Sequence, residues 1–181
     1  LFMLLYNSFV FYSTYGDEKA KPIKVLDEWI LARLNETTYT VTKNLEAYAI
    51  GDAAHEIEGL VDDLSRWYIR RSRKNVSGKV LRMVLENVGK LIAPLAPFFA
   101  EAIWQSLNKG SVHLEDWPKT DKKLIDKKLL EAMTEIRRLA SLALAEREKA
   151  GIKVRQPLAA LKIKTPKLKS AEKELLELLK D

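Results

Sequence analysis

Residues Asp62-Asp63-Leu64-Ser65-Arg66-Trp67-Tyr68-Ile69-Arg70-Arg71-Ser72-Arg73-Lys74 hold the densest chemistry of this chain. From Arg66 to Arg82 the sequence carries seven Lys or Arg and no Asp or Glu: Arg66, Arg70, Arg71, Arg73, Lys74, Lys79 and Arg82. A guanidinium group pairs phosphate oxygens bidentately and stacks on flat rings, so such a run suits a polyanion. A plainer reading also fits. Cations in a last helical turn oppose the negative end of the helix dipole, by roughly 0.3–1 kcal/mol each.

Other chemistry is sparse. Asp62 and Asp63 are adjacent carboxylates, but neighbours on a helix point about 100° apart and do not share a proton. They are expected to cap or to pair with nearby arginines. The chain has no cysteine, which excludes disulfides, thiol nucleophiles and thiolate zinc sites. Its two imidazoles, His55 and His113, lie 58 residues apart, so no metal site is expected. His113 lacks a neighbouring base or nucleophile and is taken as a structural hydrogen-bonding group. There is no glycine-rich phosphate loop and no nucleophile elbow. Lys167-Leu168-Lys169-Ser170 echoes a nucleotide-binding lysine loop only faintly. No catalytic residue is assigned.

The elements that must position the arginines are helical. Asp52 is expected to cap a third helix reaching Lys74. On it Ala53, Ile57, Leu60, Leu64, Trp67 and Arg71 advance by three or four along one face, with Val61 and Tyr68 beside them. Arg66, Arg70 and Arg73 make a separate stripe. One face therefore packs, Trp67 and Tyr68 being core rather than base-stacking groups, and the other presents guanidinium groups. Arg71 falls in line with the core, to pair with a carboxylate or to cover apolar surface with its stem.

A first apolar helix is expected from Leu1 to Tyr15, stopped at Gly16. It lacks the positive start of a signal peptide and the length of a spanning helix. A second runs from Asp27, as cap, to about Tyr48, with Gly51-Asp52 as punctuation. After a connection through Gly78, a fourth follows from about Val80 to the Ala93-Pro94 and Ala96-Pro97 pairs. A fifth spans Pro97 to Leu107. Ser111 to Lys119 has no helical period and reads as a loop laid over the bundle. The longest helix is expected over Lys122–Lys149, stopped by Gly151. Val154 to Lys164 then reads as a strand, and Lys167 to Asp181 as a new helix.

The expected fold is thus an all-α antiparallel bundle over residues 1–150, with the opening of a small α/β unit over 151–181. An apolar share of 47% and a charged share of 31% allow an ordinary soluble core. A net charge of +6 favours an anionic partner only mildly, since 25 acidic residues intersperse the 31 basic ones. The chain begins on Leu and ends inside a helical pattern, as a piece of something longer would.

Five stretches, in this order, resemble the helical anticodon-binding domain of class Ia aminoacyl-tRNA synthetases, most closely the isoleucyl-tRNA synthetases. They are Leu5-Tyr6-Asn7-Ser8-Phe9-Val10-Phe11-Tyr12, Leu26-Asp27-Glu28-Trp29-Ile30-Leu31-Ala32-Arg33-Leu34-Asn35, and Asp62 to Lys74. Leu91-Ile92-Ala93-Pro94-Leu95-Ala96-Pro97-Phe98-Phe99-Ala100-Glu101 and Ser111-Val112-His113-Leu114-Glu115-Asp116-Trp117-Pro118 complete the set. The second and fourth are shared with the valyl and leucyl enzymes. The Trp-Tyr-Ile-Arg-Arg-Ser-Arg run and Gly151-Ile152-Lys153-Val154-Arg155-Gln156-Pro157-Leu158 favour the isoleucyl ones.

The resemblance implies a cytoplasmic domain that grips the anticodon stem and loop of a tRNA, isoleucine tRNA first, with the seven cations as candidate RNA contacts. It implies a catalytic domain elsewhere in the parent chain as a partner, with ATP and magnesium used there and no cofactor here. The family's His-Ile-Gly-His and Lys-Met-Ser-Lys-Ser type motifs do not occur in this sequence. One departure stands out: relatives follow the arginine run with a Phe-Trp pair and a longer acidic connection, whereas Lys74 here passes through Asn75-Val76-Ser77-Gly78 almost directly into the next helix. The competing readings are the equivalent valyl or leucyl domain, and a helical protein-docking domain without RNA contact.

Overall fold

The computed structural model describes residues 1–17, 19, 22–154 and 156–158. Among them lie six helices and no strand. By its contacts the chain divides into two compact units, Leu1–Asp126 and Lys127–Asp181.

The first unit is an antiparallel bundle. Helix α1 spans Phe2–Tyr15 and α2 spans Val25–Glu46. Helix α3 begins as Ile50–Asp62, widens into a π-helical stretch over Asp63–Ile69, and ends on the α-helical turn Arg70–Ser72. Helix α4 spans Gly78–Ile92 and α5 spans Pro97–Leu107. The stripe expected on α3 goes inside through Ala53, Ile57, Leu60 and Leu64, and Trp29, Ile30, Leu34 and Val41 of α2 and Leu81, Leu85, Val88 and Ile92 of α4 are buried as well.

Three helix starts in this unit differ from expectation. Helix α2 begins two residues before Asp27, whose carboxylate folds back to accept the Lys24 N–H at 2.9 Å. Helix α3 begins before Asp52, because the turn is made at Tyr48 (φ 58°), and Gly51 sits inside the helix. Helix α4 begins at Gly78 with Ser77 as its cap, accepting from Val80 N at 3.4 Å. Gly78 is required by close approach: a Cβ there would stand 2.5 Å from the carbonyl oxygen of Asp17.

The segment after α5 does cover the bundle, with one 3₁₀ turn at Val112–Leu114. Glu101 holds its start, accepting from Val112 N at 2.9 Å and Ser111 Oγ at 3.0 Å. Trp117 Nε1 donates to Thr42 Oγ1 of α2 at 2.9 Å. Burial opposes ionisation of Glu101, but these hydrogen bonds outweigh it and hold its carboxyl below the ordinary value.

In the second unit α6 spans Lys127–Lys149; a separate 3₁₀ turn, Lys122–Leu124, occupies the start expected for it. Past Gly151 (φ 66°) the chain returns, with Arg147 donating to the carbonyls of Lys153 and Gln156. Val154 lies in a turn and residues 156–158 form a bend and irregular backbone rather than a strand, and the rest of the expected strand and helix falls outside the described residues.

Candidate nucleic-acid interface

Five helix termini of the first unit meet at one end. The end of α1 touches the start of α4 through Asp17 and Gly78. The start of α2 is joined to α3 through Tyr68, whose hydroxyl donates to Asp27 Oδ1 at 2.6 Å. The end of α5 is joined to α4 through Arg82, which donates to Leu107 O at 2.9 Å and Asn108 Oδ1 at 3.2 Å.

The π stretch decides what α3 shows at this end. In a regular helix the buried row Ile57, Leu60, Val61, Leu64 would continue through Trp67, Tyr68 and Arg71. A wider turn of i→i+5 type shifts the row by one residue, so Tyr68 and Ile69 are buried instead. The expectation that Trp67 is core is therefore corrected: it is half-buried, and the Arg71 guanidinium lies over its ring at 4.3 Å. Arg71 is accordingly neither in the core nor free; it forms a cation–π pair.

Both adjacent acids pair with arginines, Asp62 with one a single turn away as expected and Asp63 with one from another helix. Asp62 meets Arg66 at 3.0 Å on the surface. Asp63 is buried and meets Arg33 of α2 at 3.0 Å, while Arg33 also reaches Glu36 at 2.6 Å. Burial alone would lower the Arg33 pKa, but Asp63 and Glu36 outweigh it and hold the guanidinium above its ordinary value. Tyr68 responds as any buried acid does: burial, then the bond to Asp27, pushes its phenol far above the ordinary value.

The seven predicted cations separate by this geometry. Arg70, Arg73, Lys74 and Lys79 are exposed around the end of α3 and the start of α4. Arg66 is exposed one turn earlier and shared with Asp62. Arg82 is half-buried and spent on Glu86, Leu107 and Asn108, so it ties helices together. Two exposed cations join the cluster unforeseen, Lys24 before α2 and Lys109 after α5. Nothing in their local sequence marks them, since only the meeting of termini brings them here.

Elsewhere, no three His, Cys, Asp or Glu side chains converge on a metal-sized site among the described residues. His55 is exposed near Glu58, and His113 lies 4.0 Å from Glu101. A shallow cavity of about 210 Å³ beside Lys90, His113 and Trp117 gathers no nucleophile with a base. No helix among the described residues is long and apolar enough to cross a membrane.

Residues 27–164 match the model of a family described as the anticodon-binding domain of tRNA ligase. This chain belongs to that family. Its relatives include an isoleucine–tRNA ligase of Streptomyces coelicolor, 42% identical over 148 residues that cover 75% of this chain and 14% of the relative. The isoleucine–tRNA ligase of Streptomyces avermitilis is 38% identical over 164 residues, covering 83% and 16%. That of Deinococcus radiodurans is 36% identical over 194 residues, covering 97% and 18%. The chain thus spans about a sixth of the length of the curated relatives it matches. The last alignment is longer than the 181 residues of this chain, so the relative has residues without a counterpart here. The fold is shared with a LeuRS chain of Agrobacterium radiobacter K84, solved in a ternary complex with tRNA and LeuAMS. Its TM-score is 0.55 at 22% identity, with coverage of 68% of this chain and 16% of that one.

Proposed function

We propose that the cationic end of the first unit grips the anticodon stem and loop of a tRNA, the isoleucine tRNA, within an isoleucine–tRNA ligase of the cytoplasm. One observation carries this reading: exposed Arg70, Arg73, Lys74, Lys79, Lys24 and Lys109 share the end where five helix termini meet. Family membership supports the anticodon as target, and the names of the relatives support isoleucine. Stem phosphates suit these exposed cations, while the loop's unstacked bases offer rings on which an arginine plane stacks. The joining of amino acid to tRNA, with its ATP and magnesium, is assigned to the remainder of such a ligase.

A second reading follows from α1, which exposes Phe2, Met3 and Tyr6 on the same unit. A docking domain would use that apolar face instead. Salt separates the two. With about five phosphates neutralised, affinity falls about a hundredfold between 50 and 200 mM salt, taking a slope near −0.7 per contact. Binding is measured to an isoleucine tRNA and to the same tRNA with its anticodon replaced. Tighter, salt-sensitive binding to the native anticodon is expected. Equal binding to both removes anticodon recognition, and absence of binding at low salt removes the RNA reading altogether.

A further inference from the structure

Two residues of the π stretch are tethered to α2, and they are five apart. Tyr68 donates to Asp27 at 2.6 Å, and Asp63 accepts from Arg33 at 3.0 Å; Tyr68, Asp27 and Asp63 are buried. In a regular α-helix residues five apart point about 140° away from each other, so only one of them can face α2. In the i→i+5 geometry of a π turn they align, and both tethers close together.

The consequence lies downstream. Relaxation of the stretch to α geometry would move every later residue of α3 forward by one place. Trp67 would take the buried place of Tyr68, Ile69 the exposed place of Arg70, and Ser72 the exposed place of Arg73. Two guanidinium positions of the cluster would be filled by an isoleucine and a serine.

We propose that Asp27 and Arg33, both bonded to the buried side of α3, are positioning residues for RNA binding: their tethers hold α3 in the π register that aims Arg70 and Arg73 outward. The inference rests on the anticodon-gripping reading above. It adds that this grip is set from α2, through the buried side of α3.

The absence of cysteine makes the register readable, because a single introduced thiol reports its own exposure. The tethers are cut together in R33M/Y68F, with circular dichroism as the check on its fold. Labelling of W67C in this background is expected to slow about tenfold as position 67 enters the core, and tRNA affinity to fall about tenfold with a shallower salt slope. Deleting Ser65 in the same background shortens the stretch to a regular helix, which returns positions 68 and 69 to the core. Labelling and affinity are then expected to recover, which a mere loss of stability would not allow. Unchanged labelling in the tether-cut chain overturns the proposal, as does a shifted label with unchanged affinity.

A second variant serves if R33M/Y68F does not fold. Deletion of Ser65 alone leaves Asp63 and Tyr68 four apart, an α spacing, so both tethers survive. The deletion is expected to keep tRNA affinity within about threefold, whereas the same deletion in an ordinary helix turns all later residues by about 100°. A lost affinity in this variant overturns the inference. If the unchanged chain binds no tRNA, the anticodon reading fails and this one with it. A constant label beside intact binding defeats this inference alone.

Discussion

Replacing Tyr68 by Phe removes one oxygen and leaves the ring in place, which isolates the tether to Asp27. The hydroxyl and the carboxylate are 2.6 Å apart, with Tyr68 fully buried and Asp27 5% exposed. Hydrogen bonds to charged groups contribute about 1.5–3 kcal/mol. Asp27 keeps the Lys24 N–H as a donor at 2.9 Å, which moderates the loss. The expected cost is about 2 kcal/mol, or about 4–8 °C in melting temperature for a chain of this size. Urea titrations of both proteins at neutral pH measure it directly.

An alkaline arm makes the test sharper. The Tyr68 phenol is raised above its ordinary value of 10.0, by burial first and by Asp27 second. A raised group contributes stability that is fully present below the unfolded value and is lost as pH rises toward the folded one. Above pH 10 the unfolded chain ionises this phenol and the folded chain does not. That costs up to about 1.4 kcal/mol per pH unit. The Phe variant lacks this contribution, so its stability falls less steeply between pH 10 and 11. A Phe variant within about 0.5 kcal/mol of the parent, or one with the same alkaline slope, would refute the argument from the buried pair.

The remaining predictions concern the cluster and its supports. R70Q and R73Q are each expected to reduce the salt slope of tRNA binding by about 0.7–0.9 with no loss, and at low salt a small gain, in melting temperature; an unchanged slope removes that arginine from the contact set. R82Q is expected to cost about 1–3 kcal/mol of stability, because it withdraws donors from Leu107 and Asn108; a thermal melt indistinguishable from the parent's contradicts its bridging role. G78A places a methyl 2.5 Å from the Asp17 carbonyl and is expected to destabilise by about 1–3 kcal/mol in the same assay, where a neutral outcome denies the close approach. Glu101 has a carboxyl held below its ordinary 4.5 by hydrogen bonds that outweigh desolvation, so its contribution is present above that value and lost as pH falls through the lower, folded one. Trp117 emission is expected to report release of the 111–117 segment in that acid range, and E101Q to flatten the response.

What could be foreseen follows from range of interaction. The bundle was legible because each stripe on α2, α3 and α4 repeats locally at helical spacing, and burial obeys that spacing. The pairing of Asp62 with Arg66 was legible for the same reason, being one turn long. The misplacement of Trp67 has a different origin. The π stretch is stabilised by Asp27 and Arg33, 41 and 30 residues away from their partners Tyr68 and Asp63, and a periodicity drawn from the stretch itself carries no trace of them. Arg82 was counted with the free cations on charge, but it is drawn inward by carbonyl and amide oxygens 25 and 26 residues further on. Lys24 and Lys109 escaped notice for the converse reason: each stands alone in sequence and acquires neighbours only when helix ends converge.

The two readings of the basic run, dipole compensation and polyanion contact, can be weighed by counting charge at that end. Helices α1, α3 and α5 end there and α2 and α4 begin there. With about half a charge at each terminus, the dipoles leave about half a negative charge. Against this stand exposed Lys19, Lys24, Arg70, Arg73, Lys74, Lys79 and Lys109, with Asp17 and Glu28 as exposed acids among the described residues. An excess of about four to five positive charges remains after the dipoles are satisfied. Dipole compensation therefore explains why cations are tolerated at this end, but it saturates after the first of them. Self-repulsion of the rest lowers the stability of the free domain, and added salt relieves it. A polyanion relieves the same repulsion while gaining its own contacts. The end is thus built for stability lower than the bundle would allow alone, recovered when phosphates arrive. Bound tRNA should for that reason raise the melting temperature most at low salt, where the unrelieved repulsion is greatest.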